Sequence, residues 1–348
     1  MGVGGLFAVL AGGANRAPLC DMLCSEAILA ELEVNERKLV GLAYVPSTDW
    51  LLWSMRRAMD EAAVQAFWQL HPCGDQQVGG LTQAFAGDCR QFFREYDEFR
   101  YRREPHILRA LDRFQWAGKR VLEIGIGQGA DAEQLVRRGA RWSGLDLTQA
   151  SVERMKMRTE VHGLLVENIR VGSALDIPYS DQEFDVVFSH GVLHHIPEIR
   201  RAQAEIRRVL KPTGSLVMMV YAKHSLNYQV SIRIIRRLGL VLLMSVPAKL
   251  SGIYEQHREN ARKMGLGNYL RLHNFVHRST DGPENPYSKV YTVKEIERDF
   301  PNFRIAETFK LWMHAPPLPS RRLPGEHLLG WHLWARLEPA AGLIAAPG

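Results

Sequence analysis

The chain has 348 residues, of which 46% are hydrophobic and 24% charged, as in ordinary globular proteins, so it is neither disordered nor collagen-like nor a long coiled coil. Its 44 Lys and Arg against 38 Asp and Glu give a net charge of +6. The basic residues are scattered along the chain in pairs, whereas a nucleic-acid groove needs a concentrated basic face, so we expect no such groove. The four cysteines have no zinc spacing, and a chain of this size needs no disulfide framework, which favours a cytoplasmic protein.

Two stretches precede the first clear strand. Residues 1–58 show weak periodicity and no recognisable chemistry, and their apolar start lacks the basic residues of a signal peptide. Residues 59–115 carry apolar residues at helical spacing and many aromatic and arginine side chains, so we predict a helical lid region there. The longest later apolar run, 238–246, is far shorter than the ~20 residues of a membrane span, so no span is expected.

From residue 116 to 224, short apolar strands alternate with helical patterns. The strands are predicted at 120–124, 142–145, 169–171, 184–188 and 215–220. The helix after the second strand has Thr148 as its N-cap and Gly163 at its end. This alternation predicts an α/β fold with a parallel sheet covered by helices on both faces. Ligands bind such sheets at the carboxyl ends of the strands.

The remaining chain is predicted to add a cap and to complete the sheet. Residues 225–290 are read as a helical insertion that ends in a polar, turn-rich loop. Its apolar part, 238–244, could line a pocket, lie on a membrane or dock a second copy of the chain, so a homodimer through this insertion is one prediction. Residues 291–338 contain a short helix and two alternating segments, 303–309 and 328–337, that suit a closing antiparallel pair, and 339–348 form a tail.

The sharpest local signal is the glycine-rich turn EIGIGQG at 123–129, between the first strand and its helix. Glycines let a ligand approach the backbone closely. The turn suits either a dinucleotide or a nucleoside such as S-adenosylmethionine. Ala130 can take the third position of GxGxxG/A, and Asp146 follows at the distance expected of a ribose-binding acid.

Glu123 distinguishes these two classes of cofactor. A buried carboxylate would pair with the cationic amino group of S-adenosylmethionine and would repel a pyrophosphate. The alternative is that Glu123 caps a neighbouring backbone group.

Several blocks of the chain together resemble the class I S-adenosylmethionine-dependent methyltransferases of the small-molecule type. They are VLEIGIGQGAD (121–131), GLDLT (144–148), GSALDIPYSDQEFDVVFSHGVLHHIP (172–197) and VLKPTGSLVM (209–218). The likeness runs from Lys119 to Val220 and resumes at Tyr291. It implies a Rossmann-like sheet of seven strands, parallel with an antiparallel closing strand, and an enzyme that uses S-adenosylmethionine.

The resemblance also assigns contacts to single positions. The glycines would line the methionine part of the cofactor, Asp146 would bind the ribose hydroxyls, and Leu147 would pack on the adenine. Where the family has an acid after Gly172, this chain has Ser173, so Ser173, Asp176 or a backbone carbonyl would take the adenine contact. The predicted cofactor residues are Tyr101, Glu123, Gly125, Gly127, Gly129, Asp146, Leu147, Ser173, Ala174, Ser189, His190 and Gly191.

Methyl transfer from a sulfonium needs a well-placed nucleophile, and a hydroxyl nucleophile also gains from a base. His190 is the first candidate for this base and His195 the second, with positioning of cofactor or substrate as the alternative role. No carboxylates follow the fourth strand, so we expect no metal ion. In the insertion, the predicted contacts to a polar acceptor are His273, His277, Arg278 and Asp281.

The sequence therefore predicts transfer of a methyl group to a small or medium-sized metabolite, at oxygen. Two other functions stay open. A nucleic-acid or protein methyltransferase would bind RNA or DNA in a salt-sensitive manner if its substrate were a nucleic acid. A catalytically silent S-adenosylmethionine-binding module would act through partner contacts. A nicotinamide oxidoreductase is disfavoured by Glu123 and by the VLKPTG turn at 209–214.

Overall fold

The computed structural model describes residues 61–71, 88–247, 250 and 252–340, all of which belong to one compact unit, Met55–Gly348. The predictions made for 1–58 and for most of the tail lie outside these residues. A single sheet of eight strands organises the described part. The strands are β1 (Arg120–Ile124), β2 (Arg141–Asp146), β3 (Asn168–Val171), β4 (Phe184–His190), β5 (Leu210–Ala222), β6 (Val290–Tyr291), β7 (Phe303–Leu311) and β8 (His332–Pro339).

The strand order confirms the predicted α/β architecture. The main path is β3-β2-β1-β4-β5-β8-β7, and β6 pairs with the end of β5. Strand β8 runs antiparallel to β5 and β7, and the other pairings are parallel. The predicted turn at 211–214 is a bulge inside β5, because Phe184 pairs with Leu210 and Val186 already pairs with Ser215. The sheet thus has seven strands on its main path, as predicted, and the short β6 as an addition.

Helices cover both faces of the sheet and form the cap over 225–290. They are α1 (61–70), α2 (Cys89–Arg103), α3 (His106–Leu111), α4 (Ala130–Arg137), α5 (Gln149–His162), α6 (Ile199–Val209), a π-helical segment (Asn227–Arg236), α7 (Arg237–Met244), α8 (Gly252–Met264), α9 (Leu266–Tyr269), α10 (Leu272–Thr280), α11 (Val293–Asp299) and α12 (Glu326–Leu329). In the part of the chain that the structure describes, none of these helices is both long and apolar enough to cross a bilayer.

Local sequence signals account for several helix ends. The Thr148 side chain accepts a hydrogen bond from the backbone N–H of Ser151, and Gly163 ends α5 with a φ of +61°. Thr292 and Glu295 form a capping box at the start of α11. Two boundaries differ from the predictions. Helix α10 runs to Thr280, into the stretch predicted as loop, and residues 326–329 are helical, so the last strand begins only at His332.

The core follows from the alternation of side chains along each strand. Leu122 and Val187 point to one face of the sheet and pack in a cluster with Ile206 of α6. Val121 and Trp142 point to the other face and pack in the cluster that includes residues of α4 and α5. Both faces are buried, as in other parallel sheets, so the carboxyl ends of the strands are the surface left for a ligand.

Candidate active site

A cavity of about 1160 Å³ lies at the carboxyl ends of β1, β2 and β4. Its wall contains residues of these strand ends, of helices α1 and α2, and of the cap. Typical small-molecule sites measure roughly 300–1,000 Å³. The cavity is therefore large enough for a nucleoside cofactor and a second molecule beside it.

The glycine turn after β1 lines this wall through Gly125 and Gly127, and we call it the cradle. Gly125 has a φ of +83°, and its N–H donates to the carbonyl of Leu145 over 2.8 Å. A Cβ atom at this position would lie only 2.1 Å from Cγ2 of Val192. Residues with side chains rarely adopt this backbone conformation. Both the conformation and the close contact therefore require glycine here.

Asp146 ties the end of β2 to the glycine turn. Its Oδ2 accepts hydrogen bonds from the backbone N–H groups of Ile126 (2.8 Å) and Gly127 (3.2 Å). Its Oδ1 accepts from the N–H (2.9 Å) and the hydroxyl (2.8 Å) of Thr148. Burial raises the pKa of Asp146, and these hydrogen bonds act against that rise. The carboxylate lines the cavity. Its predicted contact with a ribose stays a prediction.

Glu123 is held by a side chain rather than by a backbone group. Its Oε2 accepts a hydrogen bond from the indole N–H of Trp142 over 2.8 Å. Gly144, the residue paired with Glu123 across β2, leaves the space for this indole, since a Cβ there would lie 2.3 Å from the Trp142 ring. Burial, and next the negative charge of Asp131, raise the pKa of Glu123 well above its ordinary value. A cation bound in the cavity beside it would favour the ionised form.

A buried cluster links α2, α4 and the end of β4. Asp131 Oδ2 accepts hydrogen bonds from Arg100 Nη2 (2.7 Å) and from His190 Nδ1 (2.6 Å). Burial alone would raise the pKa of Asp131, but the charge of Arg100 and the hydrogen bonds from Arg100 and His190 hold it well below its usual range. An ionised carboxylate only accepts hydrogen bonds, so we assign the proton of His190 to Nδ1. Its Nε2 is then an acceptor, and it is buried without a hydrogen-bond partner among the described residues.

Aromatic packing holds the His190 ring in place. Trp334 of β8 stacks on it with the ring centres 5.0 Å apart, and His332 meets it edge-on at 5.8 Å. His190 and His332 both line the cavity. An imidazole oriented by a carboxylate on one nitrogen, with no hydrogen-bond partner on the other, is an arrangement that suits a general base. The catalytic role of His190 stays a prediction.

The two other histidines after β4 are differently placed. His194 is fully buried, its ring packs on Tyr221 at 3.9 Å, and burial lowers its pKa well below the ordinary value. His195 lines the cavity and its Nδ1 lies 2.7 Å from the carbonyl oxygen of Tyr287. Trp68 of α1 packs edge-on against the His195 ring at 5.2 Å. His195 therefore connects the lid helix, the cavity and the loop before β6.

One group of side chains could offer ligand atoms to a metal ion. Among the described residues, His194, His195 and Asp281 each place one such atom within 4.8 Å of the others. Asp281 already accepts a hydrogen bond from the Tyr221 hydroxyl (2.7 Å), and His195 is engaged by the backbone through its other nitrogen. The expectation that the site works without a metal ion stays a prediction.

Most, but not all, of the predicted cofactor residues lie in the cavity wall. Nine of the predicted cofactor residues line the cavity: Glu123, Gly125, Gly127, Asp146, Leu147, Ser173, Ala174, His190 and Gly191. Three are not in the wall. Tyr101 donates to Asp131 (3.3 Å), Ser189 donates to the carbonyl of Ile124 (3.1 Å), and Gly129 starts α4. Ser173 accepts from the N–H of Leu175 (2.9 Å).

Of the four predicted acceptor contacts, Arg278 and Asp281 reach the cavity wall. His277 instead faces the loop before β6, where its Nδ1 lies 2.9 Å from the backbone N of Ser288 and its ring stacks on Tyr287. His273 is exposed on the surface of the cap.

Sequence reasoning missed three contributors to this site. Arg100 lies in the predicted lid region and Asp131 in the first block of the resemblance, but no sequence pattern pairs a residue of α2 with one of α4. Helix α1 belongs to the predicted lid region, but the sequence did not show which of its residues meet the strand ends. The side chain of Gln65 donates to the carbonyl of Leu147 over 2.8 Å, which anchors α1 beside the end of β2. Only the arrangement of the whole chain shows that these residues meet.

Comparison with known proteins points to one family. Residues 122–218 match the family model described as a methyltransferase domain. The chain is 41% identical over 99 residues to the phthiotriol/phenolphthiotriol dimycocerosates methyltransferase of Mycobacterium tuberculosis, a match that covers 28% of this chain and 36% of that protein. It is 38% identical over 99 residues to the fatty-acid O-methyltransferase of Mycolicibacterium smegmatis, covering 28% and 35%. The matches thus span about a third of the length of these relatives.

The same comparison extends to solved structures. An S-adenosylmethionine-dependent methyltransferase of Thermotoga maritima, described as a possible histamine N-methyltransferase, superposes with a TM-score of 0.43 at 17% identity. That superposition covers 72% of this chain and 98% of the other.

Proposed function

We propose that the whole protein transfers a methyl group from S-adenosylmethionine to a hydroxyl oxygen of a small or medium-sized apolar acceptor. Residues 122–218, which match the methyltransferase-domain family, would form the class I domain that binds the cofactor. One observation carries this proposal. The buried, unpartnered Nε2 of His190 belongs to a side chain in the wall of the cavity that the glycine turn also lines. The named substrates of the two mycobacterial relatives, a dimycocerosate lipid and a fatty acid, support an apolar acceptor.

The residues at the strand ends fit this cofactor. Gly125 and Gly127 of the glycine turn line the cavity, and Asp146 stands at the end of β2 with both oxygens already accepting hydrogen bonds. Glu123 is a buried carboxyl group whose raised pKa would be restored by a cationic amino group. Ser173 and Ala174 would flank the adenine. A nicotinamide cofactor would bring a pyrophosphate to the same place, close to Glu123.

When bound, S-adenosylmethionine would supply a methyl group on a positively charged sulfur. His190 would accept the hydroxyl proton of the acceptor at Nε2, which would leave the acceptor oxygen as the nucleophile for that methyl group. Asp131 holds the His190 ring in the tautomer that can do so, and Arg100 keeps Asp131 ionised. Trp68 and the cap residues in the wall exclude water from the reacting groups.

Two finer statements belong to the same proposal. We place the protein in the cytoplasm, because its four cysteines show neither a disulfide framework nor a zinc pattern. We assign it a small-molecule partner and no nucleic acid, because its basic residues are dispersed along the chain. A fluorescence titration with RNA and duplex DNA at low salt tests the second statement, and tight, salt-sensitive binding would contradict it.

Calorimetric titration with S-adenosylmethionine, with NADH and NADPH as controls, tests the cofactor. We expect binding of the sulfonium compound and of its demethylated product, and none of the nicotinamides. Labelled S-adenosylmethionine with long-chain hydroxylated and carboxylic acceptors then tests the transfer. His190→Gln should keep the cofactor affinity and slow transfer to a hydroxyl by about 10²–10⁴-fold. An unchanged rate would remove His190 as the base, and binding without transfer to any class of acceptor would favour a silent cofactor-binding module.

A further inference from the structure

Helix α7 of the cap is apolar on two sides. Gly239, Leu240 and Leu243 line the cavity. On the other side, Leu238 (61% exposed) and Leu242 (71% exposed) face solvent. Val241 of α7 is 41% exposed, and Ile234, in the π-helical segment just before α7, is 51% exposed. We call Ile234, Leu238, Val241 and Leu242 the cap face. A surface helix normally turns a polar side to water, so an apolar face of this kind marks an interaction surface.

The stretch of chain that contains the cap face carries charges of one sign. No Asp or Glu occurs between Ser225 and Tyr254, whereas Arg233, Arg236, Arg237 and Lys249 lie in that stretch. Arg236 is turned inward and donates to the carbonyl of Pro316 (3.1 Å). Arg233 and Arg237 adjoin the cap face, and neither pairs with a carboxylate of the described residues. An uncompensated positive rim around apolar side chains complements an anionic lipid surface.

The cap face adjoins a point where the cavity wall reaches the surface. Ile253 and Tyr254 at the start of α8 belong to the wall and are also 48% and 59% exposed. Helix α8, which begins beside these two residues, packs against α7. A molecule that entered the cavity past these two side chains would therefore come from the same side of the cap as α7.

We propose that the cap face docks on an anionic membrane surface, and that the acceptor is a membrane-dissolved lipid that enters past Ile253 and Tyr254. The docking stands on the cap residues alone, while the entry of the acceptor rests on the proposed function. Leucine and valine side chains of α7 insert among the acyl chains, and Arg233 and Arg237 pair with phosphate groups. A second copy of the chain would instead bring the same arginines to the interface without a carboxylate from this stretch to neutralise them.

Flotation of the full-length protein with lipid vesicles tests the docking. We expect binding to vesicles of phosphatidylcholine with phosphatidylglycerol and little binding to phosphatidylcholine alone. The double substitution Leu238→Glu/Leu242→Glu should reduce binding at least tenfold. Leu165→Glu is the matched control, because Leu165 is 88% exposed outside the cap and its replacement should leave binding unchanged. Equal binding of the double variant and the control would overturn the proposal.

Replacement of the rim charges provides a second, milder test. Arg233→Gln and Arg237→Gln should each weaken binding to anionic vesicles by about fivefold, and added salt should weaken the unmodified protein in the same direction. Sedimentation velocity tests the alternative that a second copy of the chain covers the cap face. A stable dimer that Leu238→Glu/Leu242→Glu dissociates, without vesicle binding, would assign the cap face to a second copy of the chain and refute the membrane proposal.

Two further measurements keep this proposal separate from the proposed function. Calorimetry with S-adenosylmethionine in the absence of lipid reports on the cofactor site, which the cap-face variants should leave unchanged. Transfer to a short, water-soluble hydroxyl acceptor should also be unchanged in these variants, while transfer to the same hydroxyl group on a vesicle-bound lipid should fall with docking. Vesicle binding without any transfer would sustain the docking and refute the methyltransferase activity.

Discussion

Replacement of Gly125 by alanine should destabilise the protein and damage the cofactor cradle. An alanine at a φ of +83° costs about 1–2 kcal/mol in backbone strain. Its Cβ would also lie 2.1 Å from Cγ2 of Val192, and overpacking of this kind adds about 1–3 kcal/mol. We therefore expect Gly125→Ala to lower the free energy of unfolding by about 2–5 kcal/mol.

The chain offers a matched control at Gly118. It has a φ of +73°, and a Cβ there would meet nothing within 4 Å. Gly118→Ala should therefore show only the backbone cost of about 1–2 kcal/mol. Urea unfolding, followed by circular dichroism, measures both variants, and calorimetry should show a loss of cofactor affinity for Gly125→Ala alone.

A double substitution isolates the contact itself. Combined with Val192→Ala, the Gly125→Ala change should cost about 1–3 kcal/mol less than in the unmodified protein, because the clashing methyl groups are gone. If Gly125→Ala costs no more than Gly118→Ala, the close approach of Val192 to the turn does not exist in solution, and our account of the cradle is wrong.

Three more predictions concern the buried carboxyl groups. Asp131→Asn leaves Arg100 buried without its counter-ion, so thermal and urea unfolding should show a loss of about 3–5 kcal/mol, and unaltered stability would contradict the cluster. Asp146→Ala should weaken cofactor binding in calorimetry by at least about 1–3 kcal/mol, and equal affinity would exclude its ribose contact. Burial, and next the negative charge of Asp131, raise the pKa of Glu123 in the free protein, and a bound cation would favour its ionised form. Cofactor affinity should therefore rise with pH until the raised pKa of the free protein is passed. Calorimetry in buffers of different ionisation enthalpy should detect the released proton, and Glu123→Gln should abolish it.

Much of the fold could be predicted because its signals are local. Strands with buried faces on both sides are short apolar runs, and the caps at Thr148 and Gly163 need only the residues beside them. The positions of Glu123, Asp146 and His190 at the strand ends follow from the same pattern, since parallel strands direct their carboxyl ends to one edge. The ends of a strand were less predictable where they depend on pairing with strands that are distant in the sequence. The start of β8 at His332 is set by its pairing with β5 and β7.

The sequence by itself thus determined the parallel sheet, the glycine turn and the histidines after β4, because each is encoded by neighbouring residues. Only the tertiary structure decided which side chains meet. The hydrogen bonds from Arg100 and His190 to Asp131 join residues 31 and 59 positions away from the carboxylate. The cap face depends in the same way on how α7 lies over the cavity, since an apolar residue at helical spacing can point inward or outward. Helical periodicity sets which residues share a face, and packing decides which face is buried.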